Sequence, residues 1–191
     1  FGPIVAATHS PDTILWRAGE RATPGVKVIA EMGIPFAFYD EVAATDGITQ
    51  VINRGVPMVP QGETRLSSAI PNTPFPPDAT FYDHTSLVIE AAPGDVFSFA
   101  SMLVITNDGF WGLDSVTLPE EGTAVYFSDA WDAGTEQNTE RSIHLDDGSG
   151  ILGLVPLPGD PNGNVGIVTR PVGAIEPHPG IQGRGRLAPM S

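Results

Sequence analysis

Apolar residues along the chain occur in short runs separated by turn residues, and this pattern predicts many short β-strands. Two of these runs flank the turn Ala92-Pro93-Gly94-Asp95, so we expect Thr85–Ala91 and Val96–Ile105 to form a hairpin. The full set of predicted strands is Phe1–Thr8, Ile48–Ile52, Thr85–Ala91, Val96–Ile105, Phe110–Leu113, Asp114–Leu118, Thr123–Phe127, Gly150–Pro156 and Val165–Thr169.

Helical patterning is confined to the N-terminal third. Thr23 is a suitable N-cap, Pro24 fits the first helical position, and Gly33 is a natural stop. The spacing of the apolar residues between them is helical, and Pro35–Ala44 predicts a further turn or two. We therefore expect short helical segments to accompany the strands.

Composition supports a globular all-β domain. Of 191 residues, 41% are hydrophobic and 17% are charged. The 22 glycines and 19 prolines together exceed a fifth of the chain. The proline-rich stretch from Asn53 to Pro77 is too apolar for a flexible interdomain linker. We therefore predict a single domain over residues 1–191.

The net charge of −14 and the absence of cysteine exclude several classes of function. Nucleic acid is excluded as a partner because binding it requires Lys and Arg to neutralise phosphates, and anionic lipid is disfavoured for the same reason. Without cysteine there is no disulfide, thiolate metal site or cysteine nucleophile. No run approaches the roughly 18 apolar residues that a membrane span requires.

Two apolar runs are each followed by a short acidic loop, at residues 106–109 and at residues 129–136. Carboxylates that gather at the ends of neighbouring strands, with glycine beside them, are what a hard oxygen-seeking cation such as Ca²⁺ needs. Gly134 would let the backbone turn so that Asp132 and Glu136 converge, with backbone carbonyls and water completing the coordination. The alternative is that these acids cap turns and face solvent.

Other chemistries fit the residues less well. The four histidines (His9, His84, His144 and His178) are too far apart in sequence for a typical zinc site, and Mg²⁺ fits less well than Ca²⁺ because it usually keeps more of its waters. Two carboxylates roughly 5–10 Å apart could hydrolyse a glycoside, but acids crowded round a cation stay ionised and cannot donate a proton. The chain has no Gly-x-Ser-x-Gly elbow, phosphate-binding Gly-rich loop or His-Glu-x-x-His motif.

The tryptophans beside the acidic loops have two interpretations. Trp111 and Trp131 could form an exposed aromatic platform for a carbohydrate or protein partner. Alternatively, they pack into the core and shield the loops, and we favour this second interpretation.

A family resemblance is carried by the segment Met102–Asp108 together with Trp131-Asp132-Ala133-Gly134-Thr135-Glu136. These segments look like the spondin domain, and Phe1–Ser10 and Gly180–Gly185 also resemble bacterial proteins of that family. The resemblance implies a β-sandwich of about eight antiparallel strands with a calcium ion at one end. It also implies an outer strand before Phe1 and another after the Gly-rich end, both of which we expect to be missing from this chain.

Carried over from the family, the three acidic metal ligands fall on Asp108, Asp132 and Glu136. Two departures affect this site: Glu136 stands where animal members have Asp, and Gly109 follows Asp108. The cysteines of the animal members are also absent.

We therefore predict a secreted or cell-surface (periplasmic or extracellular) calcium-binding adhesion module, of bacterial type, that is not an enzyme. Its partner would be a protein or glycan at the cell surface. One alternative is a structural or accessory subunit of a cell-surface assembly or filament that associates through exposed strand edges. A second alternative is a carboxylate-based glycan hydrolase.

Overall fold

The computed structural model describes residues 2–54, 86–103, 106–140 and 173–182. Within these residues, six antiparallel strands form one sheet with the order β2-β1-β3-β4-β5-β6. The elements in chain order are β1 (Ile4–His9), α1 (Pro24–Met32), α2 (Phe36–Ala43), β2 (Ile48–Arg54), β3 (Val96–Met102), β4 (Gly109–Thr117), β5 (Ala130–Asp132) and β6 (Glu176–Pro177).

Strand β1 is buried on both faces of the sheet. Its alternate residues Val5 and Ala7 belong to one core cluster, which also contains buried residues of α1 and α2. Ile4 and Ala6 point to the opposite face and pack in a second cluster with Phe99. Two covered faces make this an all-β, sandwich-like fold with short N-terminal helices, as the sequence predicts.

The predicted helix signals are confirmed in α1. The Thr23 hydroxyl accepts a hydrogen bond from Val26 N at 3.2 Å, Pro24 begins the helix, and Gly33 ends it in the left-handed conformation at φ 64°. Glu41 of α2 also caps this helix, since it accepts from Gly25 N at 2.7 Å and from the Thr23 hydroxyl at 2.6 Å. The two helices are therefore joined at the N-terminus of α1.

Two predicted strands are wrong. Residues 86–92 form no strand, so the predicted hairpin of Thr85–Ala91 with Val96–Ile105 does not form. The physical reason is that β3 already pairs with β1 on one edge and with β4 on the other. Residues 123–129, which include the predicted strand Thr123–Phe127, also lack strand structure.

The predicted runs Phe110–Leu113 and Asp114–Leu118 form one strand, β4, with an irregularity in the middle. Leu113 pairs with Phe99 and Val116 with Phe97, so two residues of β4 oppose Ser98 in a β-bulge. One of them, Ser115, has φ 52°. This bulge interrupts the regular ladder between β3 and β4.

Other sequence predictions lie outside the described residues or remain predictions. Gly150–Pro156, Val165–Thr169, His84 and His144 are not among the described residues. The single-domain assignment and the missing outer strands remain predictions.

Candidate metal centre

The two acidic loops meet at one end of the sheet, because β4 and β5 are antiparallel neighbours. Gly109 pairs with Asp132, and the backbone N–H of Ala133 donates to the Asp108 carbonyl at 3.0 Å. Asp108 immediately precedes β4, and Asp132 is the last residue of β5. Strand pairing thus brings together two acids that are 24 positions apart in sequence.

Asp108 is fully buried and its two carboxylate oxygens have different environments. Oδ2 accepts three hydrogen bonds: from Thr135 N at 2.6 Å, from the Thr135 hydroxyl at 3.2 Å, and from Glu136 N at 2.9 Å. Oδ1 is buried and has no hydrogen-bond partner in the described part of the chain. A buried carboxylate oxygen without a partner carries a large desolvation cost, so it requires a physical explanation.

Asp132 is 4% exposed and organises the loop that follows it. Its Oδ1 accepts a hydrogen bond from Gly134 N at 2.7 Å, and its Oδ2 accepts one from the Asn138 side-chain amide. Gly134 has φ 73°, and a Cβ atom there would lie 2.6 Å from the Ala174 carbonyl oxygen. Glycine is therefore needed both for the backbone conformation and for the close approach of Ala174.

Glu136 belongs to the same buried loop. It is 1% exposed, and its main-chain N–H is one of the three donors to Asp108. The structure thus places all three predicted ligand residues in one buried region at the end of the sheet.

The electrostatics of the site are unfavourable for a charged Asp108. Burial raises the pKa of its carboxyl, and the negative charge of Asp132 raises it further. The hydrogen bonds from Glu136 and Thr135 favour the charged form and oppose part of this rise. The region therefore favours either a proton or another positive charge.

These residues fit a cation in part. The unpartnered Asp108 Oδ1 and the neighbouring Asp132 are suitable oxygen ligands for Ca²⁺. However, within residues 2–54, 86–103, 106–140 and 173–182, no group of three or more His, Cys, Asp or Glu residues is arranged so that it could hold a metal ion. The ligand set Asp108, Asp132 and Glu136 stays a prediction.

Sequence reasoning missed the neutral residues that hold the acids in place. Thr135 donates twice to Asp108, Asn138 donates to Asp132, and the Asn107 side-chain amide donates to the Gln137 carbonyl at 2.6 Å. The signal was present, since Thr135 and Asn138 follow Asp132 within six residues. Their roles could not be assigned without knowing which backbone groups the fold brings near.

The tryptophans pack against the core, as favoured from the sequence. Trp111 contacts Phe99 edge-to-face with ring centroids 4.6 Å apart, and Trp131 contacts Trp16 at 5.6 Å. The Trp131 indole N–H also donates to the Gly112 carbonyl at 3.3 Å. Trp131 therefore packs against the core, in the strand that contains Asp132.

Comparisons with known proteins identify the family. The family model described as Spondin_N matches residues 1–143, which is about three quarters of the chain. No curated protein gives a match. None of the helices that the structure describes has the length and apolar character needed to cross a membrane. The chain belongs to the spondin N-terminal domain family.

Proposed function

We propose that this protein is a calcium-binding module for extracellular adhesion or for binding a protein or glycan at the cell surface. In this proposal, Ca²⁺ fixes the two strand-end loops and has no catalytic role. The observation that carries it is the buried pair of Asp108 and Asp132, in which Asp108 Oδ1 has no hydrogen-bond partner among the described residues.

Family membership supports the general part of this proposal. Spondin N-terminal domains are extracellular adhesion-type modules that bind proteins and are generally not catalytic. We extend this to a secreted or cell-surface location for this chain. The identity of the cation and its ligands goes beyond the family match and depends on the site geometry.

The chemistry of the site supports a cation rather than permanent protonation. Ca²⁺ prefers carboxylate and carbonyl oxygens, and the candidate ligands Asp108, Asp132 and Glu136 supply carboxylates. A bound cation would supply positive charge that offsets their mutual repulsion. Thr135 and Asn138 would keep the first two carboxylates in fixed orientations through the hydrogen bonds already described.

A glycan hydrolase is disfavoured by the burial of the same acids. Asp108 is 0% exposed and Asp132 is 4% exposed, so neither carboxylate can reach a polysaccharide substrate without opening of the loops. One open cavity of about 440 Å³ lies elsewhere, beside α1 and α2, and its lining includes neither acid.

Calorimetry of the calcium-free protein, titrated with calcium, tests the metal proposal directly. Calcium should stabilise the folded state by about 2.7 kcal/mol at a concentration about 100 times Kd, and chelator should reverse the effect. Asp132→Asn should abolish this shift and leave the fold largely intact. If neither calcium nor chelator moves the transition, the proposal is wrong.

A further inference from the structure

Three consecutive apolar residues are exposed between β4 and β5. Val125 is 74% exposed, Tyr126 is 44% exposed and Phe127 is 92% exposed. We call these three residues the apolar strip. Single exposed apolar side chains are common, but a contiguous apolar patch that includes two aromatic rings is typical of an interaction surface.

The apolar strip has a strand-forming sequence but no strand partner in the part of the chain that the structure describes. Thr, Val, Tyr and Phe favour β-structure, and the sequence pattern predicts a strand at Thr123–Phe127. In the structure, residues 123–129 make no backbone–backbone hydrogen bond with any described residue. Among the described residues, the backbone donors and acceptors of residues 123–127 therefore have no main-chain partner, and a further strand could pair with them.

Side chains nevertheless hold this segment alongside β4. The Ser128 hydroxyl accepts a hydrogen bond from Gly112 N at 3.0 Å and lies 2.7 Å from the Gly112 carbonyl oxygen. The Tyr126 hydroxyl donates to the Thr117 carbonyl. These contacts position the segment before any partner arrives, which lowers the entropic cost of binding.

Acidic residues flank the apolar strip on both sides. Glu120 and Glu121 precede it, Asp129 follows it, and all three are exposed. The chain as a whole has 23 acidic against 9 basic residues. A second copy of this chain would bring the same acids to the interface, and an anionic membrane would be repelled, whereas a basic segment would be attracted.

We propose that the apolar strip docks an extended segment of a partner protein in which basic and apolar residues alternate. The partner segment adds as a strand beside residues 123–129, in the manner of β-augmentation. Its apolar side chains cover Val125 and Phe127, and its positive charge is attracted by the acidic residues Glu120, Glu121 and Asp129 that flank the apolar strip in the sequence. This inference rests on the proposed function in that the module binds a protein, but it does not require calcium.

Fluorescence anisotropy with labelled peptides tests this inference on the full chain. The probe is a short peptide of alternating lysine and valine, the first comparison peptide replaces lysine with glutamate, and the second carries a central proline. The lysine peptide should bind, with an affinity that falls as salt rises, and the other two should bind at least about tenfold more weakly. Equal binding of the glutamate peptide would overturn the charge assignment, and equal binding of the proline peptide would overturn strand addition.

Matched surface variants locate the binding site. Phe127→Ser should reduce affinity for the lysine peptide about tenfold, because it removes an exposed ring that the peptide would bury. Val88→Ser is the control, since Val88 is 93% exposed in the segment whose Glu90 contacts Thr8 of β1 and Gln50 of β2, whereas side chains of the apolar strip segment contact β4. Unchanged binding by Phe127→Ser would overturn the assignment of the site.

Two further measurements separate this inference from its alternatives. Sedimentation of the protein alone should show a monomer. If the protein self-associates and Phe127→Ser abolishes this association, a second copy is the occupant instead. Peptide binding should persist in chelator. Loss of peptide binding with an intact calcium shift would contradict only the docking inference, and the reverse result would contradict only the calcium proposal.

Discussion

Asp108 and Asp132 lie on adjacent strand ends, and the negative charge of Asp132 contributes to raising the pKa of the buried Asp108 carboxyl. Two carboxylates in such proximity away from water destabilise each other unless a proton or a cation intervenes. This pair therefore contributes unfavourably to the stability of the calcium-free protein at neutral pH and provides the most direct test of the calcium proposal.

Substituting Asp108 by asparagine should uncouple stability from calcium. The amide oxygen can accept the hydrogen bonds from Thr135 and Glu136, while one buried negative charge is removed. We expect calcium-free Asp108→Asn to melt at or above the temperature of the calcium-free parent, and its calcium-induced shift to be lost. Calorimetry with and without calcium measures both effects.

Asp129→Asn is the control for that substitution, because Asp129 is an exposed aspartate in the acidic loop 129–136 that also contains Asp132. It should retain the full calcium shift. A shift that survives in Asp108→Asn, or that disappears in Asp129→Asn, would contradict the assignment of Asp108 as a ligand.

The raised pKa of Asp108 predicts an unusual pH dependence of the calcium-free protein. Between the ordinary pKa of 3.8 and the higher pKa in the folded state, the native protein binds more protons at this site than the unfolded chain does. The contribution of Asp108 to the free energy of unfolding therefore increases as the pH falls through the pKa of the folded state. It stops changing once the pH is below the ordinary pKa of 3.8. Subtracting the urea-unfolding profile of Asp108→Asn from that of the parent isolates this contribution.

Calcium should reverse that dependence, because a bound cation favours the ionised carboxylate. In saturating calcium, stability should fall on acidification through the range where protons displace the cation. A calcium-free profile in which the Asp108 contribution decreases on acidification would show that this carboxyl is stabilised in its charged form.

Replacing Gly134 by alanine should destabilise the loop that holds Asp132. The new Cβ would meet the Ala174 carbonyl oxygen at 2.6 Å, in a backbone conformation with φ 73° that alanine disfavours. We expect a loss of about 2–4 kcal/mol in the free energy of unfolding, together with weaker calcium binding.

Gly94→Ala separates the two causes of that loss. Gly94 has φ 89°, but a Cβ there would have nothing within 4 Å. It should therefore lose only the conformational part, about 1 kcal/mol. Equal losses at the two positions in urea unfolding would show that the contact with Ala174 contributes nothing.

Ser98→Ala should destabilise the bulge in β4. The buried Ser98 hydroxyl accepts from Ser115 N at 2.7 Å and lies 2.8 Å from His9 Nε2. Removing it leaves the buried His9 Nε2 and the partly buried Ser115 N–H without this partner, which should cost about 2–4 kcal/mol in urea unfolding. Ser101→Ala, on the same strand, removes one bond to the Gly2 carbonyl and should cost less.

Local signals in the sequence were sufficient for several elements. Thr23, Pro24 and Gly33 define α1 because capping and termination depend on groups within a few residues. The predicted strand Val96–Ile105 contains β3, and the Asp-Ala-Gly-Thr-Glu motif marked the acidic loop. These features required no knowledge of distant contacts.

Strand pairing could not be predicted in the same way. Residues 86–92 and 123–129 have strand-like sequences, yet neither forms a strand, because a strand also requires a free neighbouring edge in the correct register. Both edges of β3 are already paired, and the bulge opposite Ser98 interrupts β4. Local β-propensity is the same whether or not such an edge exists.

The sequence by itself determined the all-β class and the two helices, because these depend on residue type and on short spacing. Its motifs also carried the resemblance to the spondin family, and that resemblance implied the three candidate acids. Only the tertiary structure decided that Asp108 lies beside Asp132, since that depends on the pairing of β4 with β5. It also decided that, among the residues that the structure describes, one oxygen of Asp108 is buried without a hydrogen-bond partner and the apolar strip is exposed without a strand partner. Burial and pairing are properties of the folded arrangement, and these properties give both proposals their physical basis.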